Sequence, residues 1–410
     1  MSEIVFPKKT LRDVALGGKT VLVRVDYNVP LGSNGAIMDD FRIESTVPTI
    51  KYLIEQGAKI VLCSHLGRPS GKRDEKLSLK PIAENLAKLL KKKVIFVDDC
   101  VGLKVRAAVA GLGSGDIALL ENLRFYAGEE NNDPNFARQI VTDTSASYFI
   151  QDGFGVVHRT SATTAAVTNL LPSVAGLLVE NEWLTLETAV QSPKRPLITV
   201  MGGAKISDKI DLMNRFVDIS DGMVVGGAMA NTFLKYLGFD IGESLCEPDM
   251  DEVVKQILGR ARNKFGTSFL DKFILPVDIA VSESGSERGK RIEMPLARDI
   301  SNPTFKIYDI GSGSMARAQK LLSEATTVIW NGTLGVAEKS QWAAGSAAIA
   351  ESISDIRIVS VIGGGDTASF ARDWAAKNSA YFSHISTGGG ASLELMAGES
   401  LAGIDSLLDE

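Results

Sequence analysis

Five times in its second half the sequence runs an apolar stretch straight into glycines and then into polar residues. These are Pro196–Lys205 (PLITVMGGAK), Met223–Ala228 (MVVGGA), Val328–Gly335 (VIWNGTLG), Ile358–Thr367 (IVSVIGGGDT) and Ile385–Ser392 (ISTGGGAS). Glycine lets a chain turn sharply after a strand and brings main-chain N–H groups close to a ligand. A helix that follows aims its positive N-terminal end at the same spot. Repetition of the device predicts a surface built to hold a polyanion such as a nucleotide phosphate tail.

Short β-rich runs alternate with helical segments throughout, the pattern of parallel α/β domains. Strands are expected near 20–25, 59–64, 93–97, 117–120 and 147–151 in the first half, and near 197–201, 223–226, 273–280, 327–330, 357–362 and 381–386 in the second. Helices in the second half are expected near 205–217, 229–236, 250–265, 313–323, 345–354, 367–376 and 390–397. At 410 residues the chain predicts two domains, each a doubly wound parallel sheet of the Rossmann-like kind. A helix around Val179–Val190 would join them. Such sheets bind ligands beyond the carboxyl ends of their strands.

The net charge of −6 is unevenly spread: residues 1–180 carry +2 and the remainder −8. The first half is therefore the better host for a small acidic ligand. An acidic total without a basic, aromatic-rich stripe disfavours nucleic acid. Cys63, Cys100 and Cys246 lie far apart without metal-ligand spacing, which suggests a reducing compartment. The start, MSEIVFPKKT, has no apolar signal region, and no run of about 18 apolar residues predicts a membrane span.

In the first half, cationic groups follow one predicted strand after another. VLVRVDYNVP places Arg24, Asp26 and Asn28 on one face of an extended segment; DDFRI supplies Arg42; VLCSHLGRP supplies His65 and Arg68; LLENLRF supplies Arg124; and FIQDGFGVVHR supplies His158 and Arg159. One arginine alone reads as a surface ion pair. Four from separate strand ends read as a site, because the guanidinium fork suits carboxylate and phosphate oxygens.

In the second half, MGGAKISDKI puts Lys205 and Lys209 four apart, hence on one helical face. IGGGDT puts Asp366 and Thr367 at a helix start. There Asp366 reads either as an N-cap or as a Mg²⁺ ligand beside phosphates. Two glycine motifs carry no such reading. GGKT at Gly17–Thr20 lacks the first glycine of a P-loop, and GLGSG at Gly111–Gly115 precedes its strand. A dinucleotide-dependent oxidoreductase would need a glycine fingerprint after a strand with an acid about 20 residues on, which is absent. A non-catalytic binding protein on the same fold is the other alternative, since fold alone does not fix function. No Ser/His/Asp or Cys/His constellation is readable, which suits phosphoryl transfer by positioning and charge.

Over essentially its whole length the chain resembles the phosphoglycerate kinase family. The matching motifs are VLVRVDYNVP, DDFRI, SHLGRP, LLENLRF, DGFGVVHR, GGAKISDKI, NGTLGV, IGGGDT and STGGGASLELMAG, in the family's order. The resemblance implies a 3-phosphoglycerate domain over 1–178 with a returning segment at 398–410, and a nucleotide domain over 179–397. It implies that Asp26, Tyr27, Asn28, Arg42, His65, Leu66, Gly67, Arg68, Arg124 and Arg159 meet 3-phosphoglycerate. Gly203, Ala204, Lys205, Lys209, Gly227, Gly311, Asn331, Glu338, Gly363, Gly364, Gly365, Asp366 and Thr367 would meet the nucleotide. Arg42, Lys205, Lys209, Gly365 and Gly388 would serve catalysis, and Asp366 would contact Mg²⁺. It further implies a monomeric, cytoplasmic enzyme, and residues near 180–195 and Ser386–Gly390 are hinge candidates. Departures from the family pattern are Tyr27 for Phe, Ser161 for a second His, Ala228 for Gly, Asn231 for Phe, Thr333 for Pro and Ala337 for an aromatic.

Overall fold

Runs of β-branched and aliphatic residues form the strands of two six-stranded sheets. The computed structural model describes residues 4–32, 35–283, 286–298 and 304–410. In the first sheet the strands are β1 (Thr20–Arg24), β2 (Lys59–Cys63), β3 (Val94–Val97), β4 (Ile117–Leu120), β5 (Tyr148–Gln151) and β6 (Ser173–Ala175). Their order is β3-β4-β2-β1-β5-β6, and every pairing is parallel. The three-residue β6 is too short to show as a run in the sequence. Apolar clusters cover both faces of this sheet, one around Val21, Val23, Ile60 and Leu62, the other around Leu22, Val61, Leu120 and Phe149. Burial on both faces explains why these strands read as continuous apolar runs without alternation.

In the second sheet the strands are β7 (Leu197–Met201), β8 (Gly222–Val225), β9 (Phe273–Ile274), β13 (Thr327–Asn331), β14 (Val359–Gly363) and β15 (His384–Ile385). A separate antiparallel sheet holds β10 (Asp278–Ser282), β11 (Arg291–Pro295) and β12 (Ile307–Ile310). The orders are β15-β14-β13-β7-β8-β9, all parallel, and β11-β10-β12. The single strand expected over 273–280 is thus two strands in different sheets. Pro276 lies between them, and proline cannot donate to a ladder. β11 and β12 escape sequence reading because RIEMP and IYDI mix charge with apolar residues on a half-exposed ribbon.

The chain divides into two compact units. One is Thr185–Ala397; the other holds the chain up to Leu184 together with Gly398–Glu410. The boundary falls inside the helix Leu177–Gln191, further along than the boundary expected at residue 178. The returning segment is tied to the first unit by Lys9 N–H to Leu408 O at 2.8 Å, Leu408 N–H to Ser173 O at 3.0 Å and Gly403 N–H to Val157 O at 2.7 Å.

The start of the helix Leu177–Gln191 is held by distant side chains. Leu177 N–H donates to Thr49 Oγ1 and Leu178 N–H to Asp152 Oδ1, each at 3.0 Å. Asp152 is fully buried, and its Oδ2 has no partner among the described residues. Burial pushes its carboxyl from 3.8 up to about 8, although hydrogen bonds from Thr49, Leu178 and Val179 act the other way. A carboxyl raised in the folded state binds its proton there while the unfolded chain has lost it. Stability contributed by this group is therefore present below about pH 4 and falls as pH rises to about 8. We expect Asp152→Asn to flatten that fall. Melting temperatures at pH 5 and pH 8.5 check it, and equal losses in parent and variant would refute the account.

Candidate functional site

In the first unit, β4, β2, β1 and β5 are neighbours in the sheet, so the segments leaving their carboxyl ends meet. Asp26, two residues past β1, is buried and accepts from Arg42 Nη1 at 2.7 Å and from Asn28 N–H at 3.1 Å. Burial raises its pKa, but the charges of Arg42 and Arg24 and the hydrogen bond from Asn28 N–H outweigh that and hold it below the usual carboxylate value. Tyr27 is fully buried, its hydroxyl 2.9 Å from Thr46 Oγ1, so it braces the Arg42 region from beneath. Asn28 is exposed, and its Oδ1 accepts from Gly67 N–H at 2.9 Å. The expected common face of Arg24, Asp26 and Asn28 therefore runs from interior to surface, with Arg24 at the buried end.

His65, past β2, is buried. Burial first, then the charges of Arg24, Arg124 and Arg159, push its pKa well below the ordinary value despite Asp26. It is a neutral imidazole with Nδ1 3.2 Å from Arg24 Nη2. Arg124, past β4, donates from Nη1 to Gly67 O at 2.8 Å and pairs through Nε with Glu130 at 3.1 Å. Arg159 and Arg68 are exposed. Arg159 Nε lies 3.2 Å from His158 Nε2, and neither arginine has a carboxylate partner among the described residues. Sequence reading missed Asn122, which clamps the loop that carries Leu66 and Gly67. Its side chain bonds both the N–H and the O of Leu66, at 3.2 and 2.7 Å. The partners are 56 residues apart, so no local pattern marks it.

The second unit holds a cavity of about 380 Å³. Gly203, Ala204, Gly227, Glu338 and Asp366 line it, together with β12 residues Ile307–Ile310. Tyr308, one of these lining residues, stacks on Trp342 with ring centroids 4.8 Å apart. Gly202 and Gly332 are glycine for a reason other than ligand approach: a Cβ on either would overlap the other strand's backbone. Gly311 does not line the cavity. It abuts the Asp278 carboxylate, which caps the helix Ser312–Leu322 through Gly313 and Ser314 N–H at 2.7 Å each. Gly388 is buried in the turn after β15 and also lies off the cavity; its N–H donates to Ser386 Oγ at 3.1 Å.

Lys205 and Lys209 do not share a helical face. Lys205 lies in the loop after β7, exposed, and Lys209 ends the 3₁₀ turn Ser207–Lys209 before the helix Ile210–Ile219. The reason is Glu247, whose carboxylate accepts from Ile206 N–H at 2.6 Å, Ser207 N–H at 3.0 Å and Ser207 Oγ, and so holds the loop out of the helix. Lys209 folds back and donates to Gly202 O at 2.9 Å. Asp366 sits in the first turn of the helix Gly365–Asn378 without capping it; the N-cap is Gly364 at φ 90°. Thr367 Oγ1 accepts from Gly332 N–H at 2.7 Å. Asn331, at the end of β13, is fully buried, and neither its Nδ2 nor its Oδ1 has a partner among the described residues. A Cβ at Gly364 would lie 3.0 Å from that Nδ2, so an unsatisfied amide sits under the helix start beside Gly363 and Gly364.

A family model described as phosphoglycerate kinase matches residues 11–399. The chain belongs to the phosphoglycerate kinase family. A phosphoglycerate kinase from Pelotomaculum thermopropionicum is 43% identical over 403 residues, covering 98% of this chain and 100% of that one. One from Coprothermobacter proteolyticus is 43% identical over 402 residues, covering 98% and 99%. The solved phosphoglycerate kinase structure from Coxiella burnetii matches with a TM-score of 0.82 at 34% identity, covering 98% of each chain. That from Pyrococcus horikoshii OT3 matches with 0.81 at 31%, covering 97% and 98%. The two parallel-sheet units are thus the phosphoglycerate kinase fold.

Burial lowers the Lys209 ammonium from 10.5 to about 8, against the attraction of Asp208 and Asp366. Its charge is present at pH 7 and lost as pH rises through about 8. A lysine Cε chemical-shift titration should find one resonance with a midpoint near 8 that disappears in Lys209→Arg. A midpoint at the ordinary lysine value would overturn the burial argument.

Proposed function

We propose a division of labour for the reaction that membership of this family brings. That reaction is reversible phosphoryl transfer between 1,3-bisphosphoglycerate and ADP, giving 3-phosphoglycerate and ATP, a step of glycolysis. The first unit takes the phosphoglycerate and the second the nucleotide. The observation that carries this is the contrast between their charged groups. Arg68 and Arg159 stand exposed without carboxylate partners in the unit that also holds Arg42 and Arg124, while the second unit offers a cavity lined by Gly203, Ala204, Gly227, Glu338 and Asp366.

Asp26 orients Arg42 and, as an ionised acceptor, can also take a hydrogen bond from the hydroxyl of phosphoglycerate. His65, being neutral, offers a hydrogen bond and no charge. Asn28, Leu66 and Gly67 shape the loop around the ligand. On the nucleotide side, Gly203, Ala204 and Gly227 line the cavity and Glu338 meets the ribose. Gly363, Gly364, Gly365 and Thr367 form the helix start that faces the phosphates. A carboxylate of 3-phosphoglycerate is already a competent nucleophile, so no strong general base is needed. Arg42 and Lys205 neutralise the oxygens of the transferring group, and main-chain N–H groups of the glycine loops take the remaining charge; Gly388, whose N–H is engaged by Ser386, supports its turn instead.

Magnesium fits as the nucleotide's companion. Asp366 supplies one exposed carboxylate in the first turn of its helix, and one or two carboxylates plus phosphate oxygens commonly suffice. Among the described residues no group of three or more potential ligands forms a dedicated cage. When bound, the ion would offset phosphate charge.

Transfer requires the two ligands to meet with water excluded, because water hydrolyses an acyl phosphate. We place the bending at 180–195, which spans the passage between units at Leu184 and Thr185, and at Ser386–Gly390, running into the helix that leads to the passage at Ala397 and Gly398. Three free cysteines support a reducing, cytoplasmic setting, and we take the enzyme as a monomer. No helix among the described residues is long and apolar enough to cross a membrane.

A coupled assay of ATP-dependent 3-phosphoglycerate turnover tests the reading. Lys205→Ala should lower turnover by about 10²–10³, the loss of one transition-state donor. Steady-state rates within about threefold of the parent would remove Lys205 from that role.

A further inference from the structure

Glu129 is a buried carboxylate to which the reaction above gives no task. It lies 2% exposed in the short helix Ala127–Glu130, just past Arg124. Its acceptors converge on one stretch of chain. Oε1 accepts from Ser161 Oγ at 3.0 Å and Thr163 Oγ1 at 2.7 Å, and Oε2 accepts from Thr163 N–H at 3.2 Å. Its main-chain oxygen accepts from Ala162 N–H at 2.9 Å. That stretch directly follows Arg159, and Thr164 Oγ1 donates back to Arg159 O at 2.7 Å.

Arg24 completes the arrangement from β1. Its Nε donates to Thr163 Oγ1 at 2.9 Å, and its Nη2 lies 3.8 Å from Glu129 Oε1 and 3.2 Å from His65 Nδ1. Because Thr163 Oγ1 accepts from a guanidinium, its own proton must go to Glu129. Every group facing Glu129 is then a donor, which suits an acceptor-only carboxylate and not an amide. A small cavity of about 100 Å³ lined by Arg24, Arg124, Glu129 and Arg159 adjoins the cluster. Glu130 lines the same cavity and offsets Arg124 at 3.1 Å, which leaves Glu129 as the carboxylate beside Arg24.

We propose that Glu129 is a positioning residue. Through Ser161 and Thr163 it fixes the backbone that presents Arg159, and so sets the affinity for phosphoglycerate without touching it. This rests on the assignment of Arg159 to phosphoglycerate given above. A structural prop in general would weaken both ligands and act regardless of Arg159. A positioning residue acts on one ligand and only while Arg159 is there.

The experiment is a double-mutant cycle on the full chain, read by calorimetry with 3-phosphoglycerate and separately with ADP. Glu129→Gln should weaken 3-phosphoglycerate binding by roughly 5- to 20-fold, the scale of a lost charge-assisted hydrogen bond, and leave ADP binding within about twofold. In an Arg159→Ala background the same change should cost less than about twofold, since contacts that act as one unit are not additive. Equal losses with and without Arg159, or an equal loss for ADP, would overturn the inference. If Arg159→Ala alone leaves 3-phosphoglycerate binding unchanged, the assignment of Arg159 has failed instead, and the inference falls with it. Glu129→Gln strips the one carboxylate paired with buried Arg24 among the described residues and can unfold the protein. In that event Thr163→Val, which leaves the charge pair in place, runs the same cycle with the same expectations.

Discussion

Every strand in each of the two large sheets points the same way, and the rest of the structure depends on that. A parallel pairing forces each strand's carboxyl end to one edge of its sheet, and each connection must travel back along a face before the next strand begins. Residues far apart in sequence therefore arrive at one edge as a consequence of topology. Asp26, His65, Arg124 and Arg159 come together because β1, β2, β4 and β5 are neighbours. The antiparallel β10–β12 ribbon does a different job: its residues Ile307–Ile310 line the cavity of the second unit.

The legible part of this molecule was the part written locally. A hydrophobic run followed by glycine marks a strand end without help from anything distant, and β7, β8, β13 and β14 all lie where that signal puts them. Arg68, Arg124 and Arg159 were legible for the same reason, since each follows the end of its strand, whereas Arg42 was read from the start of a helix. What was illegible depends on partners far along the chain. Lys205 belongs by pattern to a helix, yet its neighbour Ile206 is held in a loop by Glu247, 41 residues on from Ile206. Asn122 and Glu129 resemble ordinary surface residues until the loops they hold are folded over them. The division of 273–280 into two strands could have been read from Pro276. The half-exposed β11 and β12 offered no apolar run to read.

Glycine in these loops answers two separate demands. At Gly202 and Gly332 two strand ends press together so closely that any side chain would collide with the opposite backbone. At Gly364 the demand is a left-handed backbone above a buried amide. Only the second belongs to a helix start. A glycine-rich sequence is therefore evidence of close approach, and what approaches has to be found from the coordinates. The buried Arg24 shows the same ambiguity for charge. It comes from the same motif as Asp26 and Asn28, but its contacts are with Thr163, Glu129 and His65.

The return of residues Gly398–Glu410 to the first unit has a consequence for protein synthesis. Gly403 donates to Val157, two positions before Arg159, and Leu408 bridges Lys9 and Ser173. A ribosome makes residues 4–184 long before it makes these contacts. The earlier-made unit must wait, incomplete at the very loop that carries Arg159, while the entire intervening unit is translated. The later-made unit, Thr185–Ala397, is continuous in sequence and has every residue it needs before translation finishes. Order of emergence and order of completion are thus reversed.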